Sequence, residues 1–253
     1  MFSRESRRAA ILDRVARDGE ATVDALAAAF GVNAMTIRRD LDALARDGRL
    51  SRVHGGAVAS RAGVVAFSFQ RKSLLHAERK RAIAARAAAL AESGMAVSLD
   101  TGTTTLEVAR CLADARDLTV LTTSLAIASA LHSNRNLEIV LLGGTVSRAK
   151  PDLTGPLTEE NLRKFRVHIA FLGADAVTPD GMFTTDVQTA GICQAMIRHA
   201  HKAALVVDSS KFQQTAFVRY GTLKDLDVVV TDRSCPRRDR AWLKKRAREV
   251  VYA

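Results

Sequence analysis

Six short, mainly apolar runs alternate with helix-forming stretches over the C-terminal part of the chain. They occupy residues 95–99, 118–122, 137–142, 167–173, 203–208 and 227–231. Runs of this length that are rich in Val, Ile and Leu are typical of strands buried on both faces, and their alternation with helices predicts a mostly parallel sheet. Ligands of such sheets bind beyond the carboxyl ends of the strands, so the residues that follow each run are candidates for a site.

The chain is long enough for a small module and a separate α/β core, because its 253 residues exceed one average domain. No sustained period is visible between Ala59 and Leu75, and an alanine-rich, helix-forming segment starts at His76. We therefore predict an N-terminal domain over residues 1–60, a linker over 61–75 and an α/β domain over 76–253.

The composition is that of a globular protein, with 47% hydrophobic and 26% charged residues. No apolar segment has the length of a signal-peptide core or a membrane span, so we expect a cytoplasmic protein without membrane contacts. The cysteines at 111, 193 and 235 have no CxxC spacing, and the six histidines form no metal or triad pattern. We expect no disulfide framework, metal or cofactor.

The net charge of +11 is unevenly distributed. Residues 1–60 hold 10 basic and 8 acidic side chains, a net charge of +2, whereas residues 61–90 and 233–249 each carry a net charge of +6. A basic cluster is as often a solvated face as a nucleic-acid surface, and both interpretations stay open for 233–249. A DNA-binding function must therefore be argued from motifs.

The segment 22–46 has the pattern of two helices joined by a tight turn. In the first helix one face carries Val23, Leu26, Ala27 and Phe30, with Thr22 as its cap and Gly31 as its end. The second helix starts after Asn33, and its buried face carries Ile37, Leu41 and Leu44. After it, the segment 47–58 predicts a short hairpin that turns at Gly55 and Gly56.

The face of the second helix opposite its apolar stripe carries small, polar and cationic side chains. A helix that enters the major groove reads base edges from its first turns, and arginine bonds guanine in bidentate fashion. The alternative is a small helical domain with a solvated arginine face. The candidate DNA contacts are Asn33, Met35, Thr36, Arg38 and Arg39 on the helix, and Arg52 and His54 in the hairpin.

The motif TIRRDL, followed at this spacing by RVHGGA, resembles the signature of the DeoR family over residues 7–58. The resemblance implies a winged helix-turn-helix that binds double-stranded operator DNA. Asn33 stands where the family usually has serine, and both residues can cap a helix.

Polar residues follow several of the predicted strands. The segment Asp100-Thr-Gly-Thr-Thr-Thr105 opens a helix, whose amides and hydroxyls suit phosphate, and it lacks the GxxxxGK pattern of a nucleotide loop. A simple helix cap is the alternative for this turn. The candidate effector contacts are Asp100, Thr101, Gly102, Thr103, Thr104, Thr105, Thr123, Ser124, Gly143, Gly144, Asp175 and Lys211.

Residues 75–231 resemble the family's sensor domain, which is similar in fold to ribose-5-phosphate isomerase, through LDTGTTT, LLGG, FLGADAV and VVDSSKF. The resemblance implies that 100–105 and Lys211 hold the phosphate of a sugar or polyol effector, with the other candidate contacts around the sugar. The family often has asparagine at Thr123, and an acidic residue near Thr189 is missing here.

An isomerase is the main alternative, but Ala176 and Val177 follow Asp175 where the enzyme's GADE pattern has a second carboxylate. A structural nucleoid protein would need no polar pocket. We therefore predict a non-enzymatic regulator, a repressor of carbohydrate or polyol genes, that assembles as a dimer or tetramer on paired half-sites.

Overall fold

The computed structural model describes residues 3–59, 69, 72–147 and 150–253, which form two compact units. One unit comprises the described residues up to Lys72 together with Lys150, and the other comprises Ser73–Ser147 and Pro151–Ala253. Most of the predicted linker, residues 61–68, 70 and 71, lies outside the described residues. The domain boundaries at 60 and 76 stay a prediction.

The N-terminal unit is a three-helix fold with a small sheet. Its elements are α1 (Arg4–Asp18), β1 (Glu20–Thr22), α2 (Val23–Phe30), α3 (Ala34–Arg46), β2 (Leu50–Val53) and β3 (Gly56–Ala59). The middle strand, β3, pairs antiparallel with both β1 and β2. The core is formed by Ile11, Leu12 and Val15 of α1 with the predicted apolar stripes of α2 and α3. The predicted winged helix-turn-helix is confirmed.

Local capping explains where α2 begins and ends. The Thr22 side chain accepts a hydrogen bond from the Ala25 amide, and Gly31 ends the helix in the left-handed conformation (φ 63°). Gly56 is needed for a different reason, because a Cβ there would lie 2.4 Å from the Ala21 carbonyl oxygen on β1.

The larger unit contains a seven-stranded sheet in which every described ladder is parallel. Its strands are β4 (Ala96–Leu99), β5 (Leu118–Thr122), β6 (Leu137–Leu141), β9 (Val167–Leu172), β12 (Ala200–Val206), β14 (Val228–Thr231) and β15 (Glu249–Tyr252). They lie in the order β15-β14-β12-β9-β4-β5-β6. Six of them are the predicted runs, and the mostly parallel α/β fold is confirmed. The seventh, β15, was not predicted.

Helices cover this sheet. They are α4 (Ala77–Ala88), α5 (Thr103–Leu112), α6 (Leu125–Leu131), α7 (Pro156–Arg163), α8 (Val187–Arg198) and α9 (Arg237–Arg246). For example, α4 packs against β12 and β14, while α8 packs against β9 and β12. Two short 3₁₀ turns, Ser209–Gln213 and Leu223–Asp225, lie on either side of residues 218–221. No helix in the described ranges is long and apolar enough to cross a membrane.

Two smaller sheets lie in the connections. One is antiparallel and contains β10 (Ala176–Thr178), β11 (Gly181–Thr184) and β13 (Val218–Gly221). The other pairs β7 (Thr145–Val146) with β8 (Leu153–Thr154). Because β10 follows β9 after three residues, the first small sheet lies beside the carboxyl edge of the large sheet, which is where the candidate effector residues are.

Candidate DNA interface and effector site

The first turn of α3 is closed by its own side chains. Asn33 Oδ1 accepts hydrogen bonds from the Thr36 amide at 2.8 Å and from the Thr36 hydroxyl at 2.9 Å. The predicted cap is therefore present, and the two candidate phosphate contacts bond to each other. A DNA phosphate would share or displace these bonds.

The outward face of α3 carries the other candidate DNA contacts of this helix. Met35 is 52% exposed, and Arg38 and Arg39 are also exposed. Within the described residues, neither arginine forms an ion pair or a side-chain hydrogen bond. Each of these guanidinium groups therefore keeps all its N–H donors for base edges or phosphates.

The neighbouring Asp40 points the other way and is 2% exposed. Arg7 Nε lies 2.7 Å from Asp40 Oδ2, and Arg8 Nε lies 2.8 Å from Oδ1. Burial alone raises the pKa of the Asp40 carboxyl, but the hydrogen bonds from Arg8 and Arg7 outweigh it and hold this pKa below its usual value. Asp40 thus joins α3 to α1 as an anion. Sequence analysis missed this contact, because spacing along the chain does not relate residues more than 30 positions apart.

The hairpin after α3 is connected to that helix by Arg52. Its Nε lies 3.0 Å from Asp42 on α3, and a terminal nitrogen donates to the Gly56 carbonyl at 2.6 Å. His54 is exposed at the turn. Arg52 therefore has a positioning contact in addition to its predicted role at DNA.

In the larger unit, Asp100 joins the ends of β4 and β9. Its Oδ2 accepts a hydrogen bond from the Gly173 amide at 3.1 Å, and the side chain is almost fully buried. The Thr101 hydroxyl lies 3.5 Å from Asp100 Oδ1.

The helix α5 starts at this edge without a side-chain cap. Its N-cap is Gly102, which has no side chain to accept from the first-turn amides of the helix. Thr105 is fully buried, and its hydroxyl bonds the carbonyls of Asp100 at 2.6 Å and Gly102 at 2.8 Å. Thr105 therefore shapes the turn. The first-turn amides of α5 are the donors that this turn offers to a ligand.

The next two predicted clusters have structural partners. Ser124 is fully buried and caps α6 by accepting from the Ile127 amide at 3.2 Å, while the Thr123 carbonyl pairs with the Leu153 amide. Gly144 (φ 127°) packs so closely on α7 that a Cβ would lie 1.9 Å from Thr158 Oγ1. Packing thus explains these residues, and their effector contacts stay predictions.

Asp175 is held by the small sheet. Its Oδ2 accepts from the Thr184 hydroxyl at 3.1 Å and from the amide and hydroxyl of Thr185 at 3.1 and 3.2 Å. The carboxylate is therefore fixed in orientation before any ligand binds.

Tyr220 bonds the backbone at the end of β9, and sequence analysis missed it. Its hydroxyl donates to the Gly173 carbonyl at 2.5 Å, and the residue is 2% exposed. Burial raises the pKa of Tyr220 well above its ordinary value, and the charges of Cys193, Asp100 and Asp175 raise it further. Tyr220 is linked to Asp100 through Gly173, whose amide donates to the Asp100 carboxylate.

Lys211 lies in the 3₁₀ turn after β12, as predicted. Within the described residues, its ammonium forms no ion pair or hydrogen bond. Beside it, Ser209 receives a hydrogen bond from Arg79 at 3.1 Å and donates to buried Asp232 at 2.9 Å. Arg79 is a second cation at this edge that sequence analysis did not single out.

No group of three or more His, Cys, Asp or Glu side chains with metal-binding geometry occurs among the residues that the structure describes. The candidate residues supply hydroxyls, amides, the carboxylates of Asp100 and Asp175 and the ammonium of Lys211, and Arg79 lies 4.0 Å from the neighbouring carboxylate of Asp232. This donor-rich set suits an anionic ligand with hydroxyl groups.

The fold and these surfaces define a transcriptional regulator with a helix-turn-helix and a sensor domain. The model of the DeoR-like helix-turn-helix domain matches residues 7–62, and that of the DeoR C terminal sensor domain matches residues 75–233. The chain belongs to the DeoR family.

Curated relatives match along most of their length. The HTH-type transcriptional regulator GlpR of Haloferax volcanii is 34% identical, with 89% of each chain covered. The transcriptional repressor AccR of Agrobacterium fabrum is 32% identical over 91% of this chain and 90% of that protein. Both carry names of regulators and not of enzymes, as the sequence predicts. A ribose 5-phosphate isomerase from Methanocaldococcus jannaschii aligns over 53% of each chain, with 21% identity and a TM-score of 0.39.

Proposed function

We propose that this chain is a repressor whose α3 binds operator DNA, and whose larger unit binds a phosphorylated sugar or polyol that changes operator affinity. The controlled genes would then serve carbohydrate or polyol metabolism. The observation that carries the proposal is the pair of unpartnered arginines on the outward face of α3, in a chain that also has a donor-rich sheet edge.

The charges around α3 support DNA binding. Asp40 is buried and neutralised by Arg7 and Arg8, and Asp42 is paired with Arg52, so the outward face retains the positive charge of Arg38 and Arg39. Arginine in this position contacts guanine in the major groove or a phosphate beside it.

The uncapped start of α5 and the unpaired ammonium of Lys211 support an anionic effector. First-turn amides without a capping side chain bind phosphate oxygens well, and an ammonium adds a charge-assisted bond. A sugar or polyol phosphate supplies the phosphate for these donors and hydroxyl groups for the neighbouring carboxylates.

We also propose that the protein acts as a dimer or tetramer. One small winged helix covers limited DNA surface, and paired half-sites raise specificity. The repressor name of the Agrobacterium fabrum relative supports repression as the direction of control.

The DNA half of the proposal is tested by Arg38→Ala and Arg39→Ala, with Arg46→Ala as the control. Arg46 is exposed on the same helix, in its last turn. An arginine that reads a base should lose about 1–3 kcal/mol of operator binding when replaced, and little binding to a scrambled duplex. Operator affinity equal to that of Arg46→Ala in both variants would reject α3 as the reading helix.

The effector half is tested by calorimetry with sugar phosphates and their unphosphorylated parents. Lys211→Ala should lose binding of the best phosphate ligand, whereas Lys224→Ala, which removes an exposed cation from the other 3₁₀ turn, should keep it. The ligand should shift the operator affinity of wild type by the same factor by which the operator shifts ligand affinity, typically about 5–150-fold. A wild-type response in Lys211→Ala means that the phosphate binds elsewhere.

A further inference from the structure

The C-terminal helix α9 has a cationic face that the fold does not use. At 3.6 residues per turn, an arc of roughly 120° holds Arg237, Arg238, Ala241, Lys244 and Lys245 and no acidic residue. All these residues are exposed, and the side chain of Arg238 is 73% exposed. In the part of the chain that the structure describes, Arg237, Lys244 and Lys245 form no ion pair.

The other cations of this segment serve the fold. Arg240 donates to the Cys235 carbonyl at 2.8 Å and lies over the Tyr252 ring, at 4.9 Å from its centroid. Arg246 donates to the Pro179 carbonyl at 2.6 Å, and Arg248 is paired with Asp227 at 2.7 Å. The basic excess of 233–249 therefore divides into structural cations and an unused face.

This face is electrostatically unfavourable in isolation. Arg237 and Arg238 occupy the first turn, where the helix dipole disfavours cations. The segment's central acid, Asp239, is 4% exposed, accepts a hydrogen bond from Trp242 at 3.1 Å and lies 3.6 Å from Arg238, so it compensates one of the four cations of this face. A polyanion would relieve this repulsion.

Most of the described arginines of the N-terminal unit lie beside an aspartate. Residues 3–59 of this unit hold ten arginines, and six of these lie within 4.0 Å of an aspartate: Arg4, Arg7 and Arg8 at Asp40, Arg14 and Arg17 at Asp18, and Arg52 at Asp42. Sequence-independent affinity for DNA comes from neutralising phosphates. Cations outside residues 3–59 that meet phosphates would therefore add to the affinity.

We propose that the cationic face of α9 binds the phosphate backbone of DNA, and this inference rests on the proposed function in DNA binding. Arg237 and Lys244 lie about 10 Å apart along the helix axis at 1.5 Å per residue, while each DNA strand carries a phosphate about every 3.4 Å of its axis. The face can thus meet more than one phosphate. It adds affinity and salt dependence but no sequence preference.

The test compares two double variants of the full-length chain. Arg237→Gln with Lys244→Gln neutralises the face, and Arg135→Gln with Lys224→Gln removes the same charge at exposed, unpaired positions elsewhere. Binding to operator and scrambled duplexes is titrated between 50 and 200 mM salt. The slope of log K against log salt should become shallower by about 1.8 in the first variant, because each lost phosphate contact removes about 0.9.

Between 50 and 200 mM salt, this change in slope makes the loss of DNA affinity about 12-fold smaller than in wild type. The difference should be the same for both duplexes. Equal slopes in the two double variants would overturn the proposal while leaving the role of α3 intact. Loss of binding to vesicles of anionic lipid, with the DNA slope unchanged, would also overturn it and assign the face to a membrane. Wild type that binds neither duplex would reject the proposed function together with this inference.

Discussion

Replacing Asp40 with asparagine removes the charge that joins α1 to α3 and keeps the shape of the side chain. Arg7 and Arg8 bond different carboxylate oxygens, and asparagine retains only one acceptor oxygen. One hydrogen bond to a charged group is therefore lost, which costs about 1.5–3 kcal/mol. The two arginine side chains are 12% and 22% exposed, so water partly rehydrates the released guanidinium. We expect a loss of about 2 kcal/mol in the stability of this unit.

Hydrogen exchange of the α1 and α3 amides, followed by mass spectrometry, measures this loss directly. A change of about 2 kcal/mol in the opening free energy makes exchange roughly 30-fold faster. The control is Asp42→Asn, because Asp42 is 57% exposed and its pair with Arg52 should contribute no more than about 1 kcal/mol. The same acceleration in both variants would refute the account of Asp40 as a buried anchor.

The Asp40 contribution should also depend on pH. Because the folded state lowers the pKa of this carboxyl, its stabilisation is complete above the unfolded value of about 3.9 and is lost as the pH falls through the lower, folded value. The difference in exchange between wild type and Asp40→Asn should therefore be constant above about pH 5 and shrink below pH 4. A difference that shrinks already at neutral pH would assign the effect to another group.

Three further predictions concern residues of the larger unit. Gly144→Ala should destabilise it by about 2 kcal/mol or more in thermal unfolding, because of the positive φ and the overlap with Thr158; a melting temperature equal to wild type would contradict this. Tyr220→Phe should cost about 1–3 kcal/mol, because a buried carbonyl loses its donor, and an unchanged unfolding curve would speak against that bond. A thiol reagent should label exposed Cys111 in the native protein but reach Cys235 only on unfolding, since burial raises the pKa of Cys235 to about 11; labelling of both at equal rates would be inconsistent with the structure.

Local signals in the sequence predicted the helix-turn-helix well. Thr22, Asn33 and Gly31 act within one turn of their position, so their capping roles follow from residue type and spacing. The six inner strands were equally visible, because strands buried on both faces are apolar throughout. The edge strand β15 was missed, since Glu249–Tyr252 is short and follows a basic helix.

Contacts between distant residues were not predictable in the same way. The burial of Asp40 depends on arginines more than 30 positions away, and an aspartate within a charged motif gives no sign of it. Tyr220 belongs to a small antiparallel sheet whose register places its hydroxyl against Gly173. Such placements are set by tertiary packing, and spacing along the chain carries no signal for them.

The polar contacts at the sheet edge limit what the candidate effector site can select. Gly173 donates to Asp100 on one side and accepts from Tyr220 on the other, which fixes the end of β9 against β4 and β13. Asp175 accepts one hydrogen bond from Thr184 at the end of β11 and two from Thr185, which follows it. These carboxylates thus hold the three strand ends together before a ligand arrives, and their orientation is already determined. Among the described residues, Lys211 forms no ion pair or hydrogen bond, and the N-cap of α5 supplies no side-chain bond to the helix amides. These donors are therefore available to a ligand. The candidate site should select for the anion more strongly than for the sugar.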